Sequence, residues 1–139
     1  MLVLDTDHFS ALERNLAPGQ RLAVRLDATS LERAVTVATV EEEMRGWLAE
    51  INRHSDPHRQ IPGYAKLQHQ IEVFANWVIL PLDADSANRF QNFRRQGVRI
   101  GTMDLKIACI AIAHDATLLT RNAADFAKVP GLRFANWLD

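Results

Sequence analysis

The chain has 139 residues, 47% of them hydrophobic and 24% charged, with a formal net charge of −1 and one cysteine. That length suits one domain over residues 1–139 with an ordinary core, and the near-neutral charge excludes a protein that holds nucleic acid by its overall field. No apolar run reaches the roughly 18 residues a membrane span needs, a lone Cys109 can form no internal disulfide, and Asp5 interrupts the first apolar run before a secretory signal can form, so the cytoplasm is the expected compartment.

Met1 to Leu4 reads as a short apolar strand running into Asp5-Thr6-Asp7-His8. In open α/β sheets, ligand-facing residues lie at the carboxyl ends of strands, so Asp5 is well placed to be functional. Phe9 to Arg14 reads as a short helix closed by Pro18-Gly19, and Gln20 to Leu31 as a second. Ala34 to Ala38 is β-rich. Thr39 can cap the helix that follows, with Glu41 to Glu43 in its first turn and Met44, Trp47, Leu48 and Ile51 as its apolar stripe. Adjacent residues on a helix point about 100° apart, so the three glutamates cannot all face one site.

His54 to Pro62 reads as a polar loop in which Pro57 keeps His54 and His58 from pairing on a helical face. A helix over about Gly63 to Asn76, a strand at Val78 to Leu80, and a helix from Asp83 or Asp85 to Gln96 with Gly97 at its end complete this part. Arg89, Arg94, Arg95 and Arg99, interleaved with Phe90 and Phe93, fit a basic strip for RNA and a solvated helix face equally well.

Gly101 to Phe126 is the most informative stretch. Leu105 to Ala113 is apolar apart from Lys106, the pattern of a helix buried all round, with Thr102 a candidate cap and Asp104 in the first turn. The positive end of the helix favours an ionised Asp104 near neutral pH. Cys109 reads as a core residue and His114 as a cap at the helix end. Thr117 to Thr120 is a short buried strand, Arg121-Asn122 breaks it before Asp125, and Leu132 to Trp137 is a weak last strand. Trp47, Trp77 and Trp137 read as core or interface anchors.

Strands alternating with helices predict a mostly parallel sheet covered on both faces. In such a fold Asp5, Glu42, Asp104 and Asp125 all fall at strand ends or helix starts along one rim. Gathered carboxylates repel one another unless a cation joins them. Oxygen-only ligation suits Mg²⁺ or Mn²⁺, and such an ion suits phosphate esters.

The blocks LVLDTDHFS, VTVATVEEEMRG and MDLKIACIAIAHDATLLTRNAADF, with VPGLRFANW after them, resemble the PIN-domain family, specifically its VapC-type toxin ribonucleases of type II toxin–antitoxin systems. The resemblance spans nearly the whole chain. It implies a three-layer α/β/α fold, a Mg²⁺- or Mn²⁺-dependent endoribonuclease, inhibition by a cognate antitoxin, and a homodimer. It also implies that Asp5, Glu42, Asp104 and Asp125 are the catalytic acids, with Asp5 and Asp104 the most direct metal ligands. Thr6 matches a small hydroxyl beside the first acid, and Asn122 a turn asparagine. Asp7 stands where the family usually has asparagine, and Glu41 or Glu43 can replace Glu42. Asp5-Thr6-Asp7 also resembles the first motif of haloacid-dehalogenase-type phosphatases, with Asp5 as nucleophile, although the later GTMD lacks the acid pair that family wants. A noncatalytic PIN-like binding module is the third reading, favoured only if some of the four acids were absent.

Overall fold

The structure is a computed structural model that describes residues 1–139. Its elements are β1 (Leu2–Leu4), α1 (Thr6–Arg14), α2 (Ala17–Asp27), β2 (Arg33–Thr36), α3 (Val37–Asn52), α4 (Pro57–Phe74), β3 (Val78–Leu80), α5 (Ala84–Arg95), α6 (Thr102–Ala113), β4 (Thr117–Leu119), α7 (Ala123–Phe126) and β5 (Arg133–Ala135). The five strands form one sheet in the order β3-β2-β1-β4-β5, and every pairing is parallel. Growth runs one way from β1 through β2 to β3 and the other way from β4 to β5. The direction therefore switches between β1 and β4, where Val3 pairs with Leu118 and Leu4 with Leu119. Crevices at the carboxyl ends of strands open at such a switch.

Successive side chains of a strand point to opposite faces, which divides the core in two. Val3, Ala34 and Leu118 join α6, Phe126 and Val129 on one face. Leu2, Leu4, Val35 and Leu119 join Phe9, Leu22, Leu26 and Phe74 on the other. With both faces covered, strand interiors must be apolar, as all of β1, Ala34-Val35 of β2 and Leu118-Leu119 of β4 are, while Arg33, Thr117 and Arg133 stand at strand starts. This is the predicted three-layer α/β/α arrangement. Helix α6 is its most enclosed element, with Leu105, Ile107, Ala108, Cys109, Ile110 and Ala111 all buried. Burial pushes the Cys109 thiol up to about 11, against a smaller downward pull from Arg89 and Arg94, so it is a core group and no nucleophile.

Several boundaries differ from the sequence reading, each for a local reason. α1 begins at Thr6, not Phe9, because Asp5 caps it. The left-handed Asn15 ends that helix, and Pro18 stands in the first turn of α2, so Pro18-Gly19 opens a helix where it was expected to close one. Thr36, not Thr39, caps α3: its hydroxyl oxygen accepts the Thr39 N–H at 3.2 Å. Leu48, assigned to that helix's buried stripe, is 48% exposed.

The expected polar loop at 54–62 is largely helix. Asp56 caps α4 by accepting the His58 N–H at 3.0 Å, and Pro57 fits the first helical position because its missing N–H would have no partner there. Pro62 lies inside the same helix. At the start of α6, Gly101 holds the cap position with no side-chain bond, and Thr102 is the first helical residue.

Candidate active site

The carboxyl edge of the sheet collects Asp5, Thr6, Glu42, Asp104, Asn122 and Asp125 from four helices, α1, α3, α6 and α7, and the caps of two of them. Asp5 follows β1 directly and is 6% exposed. Its backbone N–H donates to the Leu119 carbonyl of β4 at 3.0 Å, which seats it at the switch point. Its Oδ1 accepts the His8 N–H at 2.9 Å. A cap role and a place on the rim thus fall on one residue.

Glu42 is brought in by α3. Its Oε1 accepts the Thr6 hydroxyl at 2.8 Å, and that hydroxyl also lies 3.4 Å from the Thr39 hydroxyl. The other glutamates are engaged elsewhere: Glu41 pairs with Arg45 on its own helix, and Glu43 accepts the Ser10 hydroxyl at 2.9 Å. Glu42 is therefore the member of the triplet that faces the rim. Asp7 is exposed in the first turn of α1 and is not the cap of that helix.

Asp125 belongs to α7, a helix of one turn. Asn122 caps it by accepting the Asp125 N–H at 3.3 Å, and its amide donates back to Asp125 Oδ2 at 2.8 Å. That amide bond, reinforced by the Lys128 ammonium 3.5 Å from Oδ1, holds the Asp125 carboxyl below the usual carboxylate range.

Asp104 behaves differently. Its carboxyl is pushed up to about 6, first by burial and then by the charges of Glu42, Asp5, Asp125 and Asp7. The helix end expected to favour its ionised form is outweighed, since partial burial and several carboxylates act against it at once. Asp104 thus feels the charge of four other acids, the farthest of them, Asp5, 99 positions earlier in the sequence.

The donors are all hard carboxylate oxygens, and their mutual repulsion is what a divalent cation relieves, so the residues present suit Mg²⁺ or Mn²⁺ in kind. No three of them stand close enough to grip an ion as they are. The two facts are compatible: charge is felt over several ångströms, whereas ligation needs about 2.0–2.1 Å for Mg²⁺.

The main cleft lies beside this rim, between α3 and α4, with Glu42, Gly46 and Trp47 on one side and Arg59 and Lys66 on the other. It includes Glu42 and leaves out Asp5, Asp104 and Asp125, so Glu42 is the one of the four acids that the cleft and the rim share. His54 and His58 form no metal-binding group with any neighbour. His114 Nδ1 lies 3.0 Å from the Ile110 carbonyl, a cap contact at the end of α6. In the arginine strip, Arg89 pairs with Asp85, Arg94 donates to the Val98 carbonyl and covers Phe90, and Arg95 contacts Asn92, while Phe90 and Phe93 pack on the core. Arg99 is exposed.

Two contributors escaped the sequence reading. Lys128, three residues past Asp125, shares its carboxylate, and His8, one helical turn past Asp5, touches it. The three-residue spacing is the only signal either one carries.

A parallel α/β sheet with carboxylates gathered at its switch point defines the class of protein. The PIN domain family model matches residues 2–132, and the chain belongs to that family. Ribonuclease VapC1 of Rickettsia felis is 26% identical over 135 residues, which cover 94% of this chain and 92% of that protein. Ribonuclease VapC2 of the same organism is 46% identical over 43 residues, 31% of this chain and 32% of that protein. Among solved structures, VapBC-1 from nontypeable Haemophilus influenzae aligns with a TM-score of 0.74 at 20% identity, covering 99% of this chain and 98% of that one. FitAcB from Neisseria gonorrhoeae aligns with a TM-score of 0.69 at 23% identity, covering 99% and 98%. At these identities the structural matches speak for the fold alone. No helix is long and apolar enough to cross a membrane.

Proposed function

We propose that this PIN domain is a Mg²⁺- or Mn²⁺-dependent endoribonuclease and the toxin of a toxin–antitoxin pair. The carrying observation is that the half-buried Asp104 stands near enough to Glu42, Asp5, Asp125 and Asp7 for their charges to add to burial in raising its carboxyl, a shared negative space that suits positive charge. The ribonuclease names of the relatives and the family match support the reaction class.

In this reading Asp5 and Asp104 hold the cation, and Glu42 and Asp125 complete its surroundings. The ion supplies an activated water and neutralises charge on the departing oxygen. The chain's own groups set the geometry: Thr6 fixes one oxygen of Glu42, Asn122 fixes one oxygen of Asp125, and the buried α6 gives Asp104 an immobile base. No nearby lysine or histidine is required as proton donor. The phosphatase reading asks for an acid pair that the start of α6 does not supply, and the purely binding module leaves the assembled acids without a role.

Expression of the chain alone and together with the product of the adjacent gene tests the proposal. Growth arrest relieved by the neighbour, with RNA fragments formed only in Mg²⁺ or Mn²⁺ and stopped by EDTA, is the expected result. Turnover of a small phosphomonoester with intact RNA would overturn it.

A further inference from the structure

His8 is wholly buried beneath the carboxylate rim. Its Nε2 accepts the backbone N–H of Trp137 at 3.2 Å, a bond across 129 residues that ties α1 to the segment after β5. Accepting requires the lone pair of Nε2, so the ring proton sits on Nδ1. Asp5 Oδ1 stands 3.3 Å from that nitrogen. The alignment falls short of a hydrogen bond, which leaves Nδ1 as the only buried side-chain polar atom without a partner.

The same Oδ1 already takes the His8 backbone N–H at 2.9 Å. Two N–H groups of one residue therefore bracket one carboxylate oxygen, while Oδ2 accepts from no protein donor. A core position served by packing alone would hold an apolar side chain and strand nothing, since an unmade bond at a buried N–H is costly. The stranded atom points at a proposed ligand.

We propose that His8 is a positioning residue for Asp5: its Nδ1–H, aimed by the Trp137 amide, holds Oδ1 and thereby directs Oδ2 toward the cation. Ligating carboxylates are commonly fixed in this way by a donor on the far oxygen, and loss of such a donor lowers metal affinity. The inference rests on the reading of Asp5 as a divalent-cation ligand and adds to it a tether formed by the Trp137 backbone.

The test is calorimetric titration of Mn²⁺ into the full chain without RNA, for wild type and for His8→Asn, His8→Gln and His8→Leu, each checked for folding by circular dichroism. Asparagine can set an N–H where Nδ1 stands, whereas glutamine reaches the position of Nε2. Leucine and glutamine are expected to weaken Mn²⁺ binding by roughly tenfold or more, with asparagine recovering most of the loss. Folded His8→Leu with wild-type affinity, or equal affinities for the asparagine and glutamine variants, would overturn the proposal. If leucine does not fold, the asparagine–glutamine comparison decides. Wild-type protein that binds no Mn²⁺ would remove the cation reading and this inference together. Intact Mn²⁺ binding without RNA cleavage would strike only the nuclease reading, and the order of affinities would still judge His8.

Discussion

The Thr6 hydroxyl donates to Glu42 Oε1 at 2.8 Å and so joins the first residue of α1 to the first half of α3 across the rim. Thr6→Val keeps the shape and removes the donor, leaving Glu42 free to turn. RNA cleavage is expected to fall by about tenfold with the melting temperature little changed, and Thr6→Ser to stay near wild type. Steady-state cleavage of a labelled RNA by the two variants measures this, and equal rates for valine and threonine would remove Thr6 from the site.

Asp104→Asn should reduce cleavage to background while the fold persists. Its effect on stability has the opposite sign. The Asp104 carboxyl is raised from 3.8 to about 6, so the folded chain binds that proton more tightly than the unfolded chain does. Ionisation of Asp104 therefore destabilises the fold fully above about pH 6, and the penalty disappears as pH falls toward 4. In EDTA the variant should melt above wild type at pH 8 and level with it near pH 4. A variant that melts lower at both values would contradict the crowding of carboxylates.

Asn122 caps α7 and orients Asp125 through the two ends of one amide. Asn122→Ala is expected to cost about 1 kcal/mol in denaturant unfolding, the usual loss for a cap, and to lower cleavage as well. Asn122→Asp retains a cap acceptor but sets a like charge against Asp125, so it should keep more of the stability than alanine does and still lose activity. Activity at the wild-type level in both variants would show that Asp125 needs no such support.

Two helical glycines should respond oppositely to alanine. A Cβ on Gly19 would stand 2.0 Å from the Ala11 carbonyl oxygen, backbone that cannot move without separating α1 from α2. Gly19→Ala is expected to destabilise by about 2 kcal/mol or more despite the better helix propensity. A Cβ on Gly46 meets nothing within 4 Å, so Gly46→Ala should stabilise by up to about 1 kcal/mol. Thermal melts of the pair give the answer directly.

The elements most readable in the sequence were those whose burial leaves no polar face. Helix α6 and the strands at Leu2, Val35 and Leu118 announced themselves by uninterrupted apolar runs, and their alternation with helices implied the parallel sheet. Helix starts were harder, because Asp5, Thr36 and Asp56 cap helices that begin two or more residues ahead of the periodic apolar pattern. Pro57 was read as a bar to a regular helix and Pro62 as the end of a loop, yet the first is suited to a helix start and the second is tolerated within α4. The rim positions of Asp5, Glu42, Asp104 and Asp125 followed from topology. The direction of the Asp104 shift did not, since it depends on how near its neighbours come. The bond from Trp137 to His8 lies beyond any local pattern, because 129 residues separate the partners.

The order of strands sets when the rim can exist. β1 waits in the sheet with one side open until β4, synthesised after nearly all the helices, arrives to lie against it, and the Asp5 N–H finds its carbonyl on Leu119 only then. A growing polypeptide that has delivered α3 but not α6 or α7 carries Asp5 and Glu42 without Asp104 or Asp125. Every translation product that stops before α7 therefore lacks at least Asp125, and the four acids of the proposed centre come together only when the late elements join the early ones.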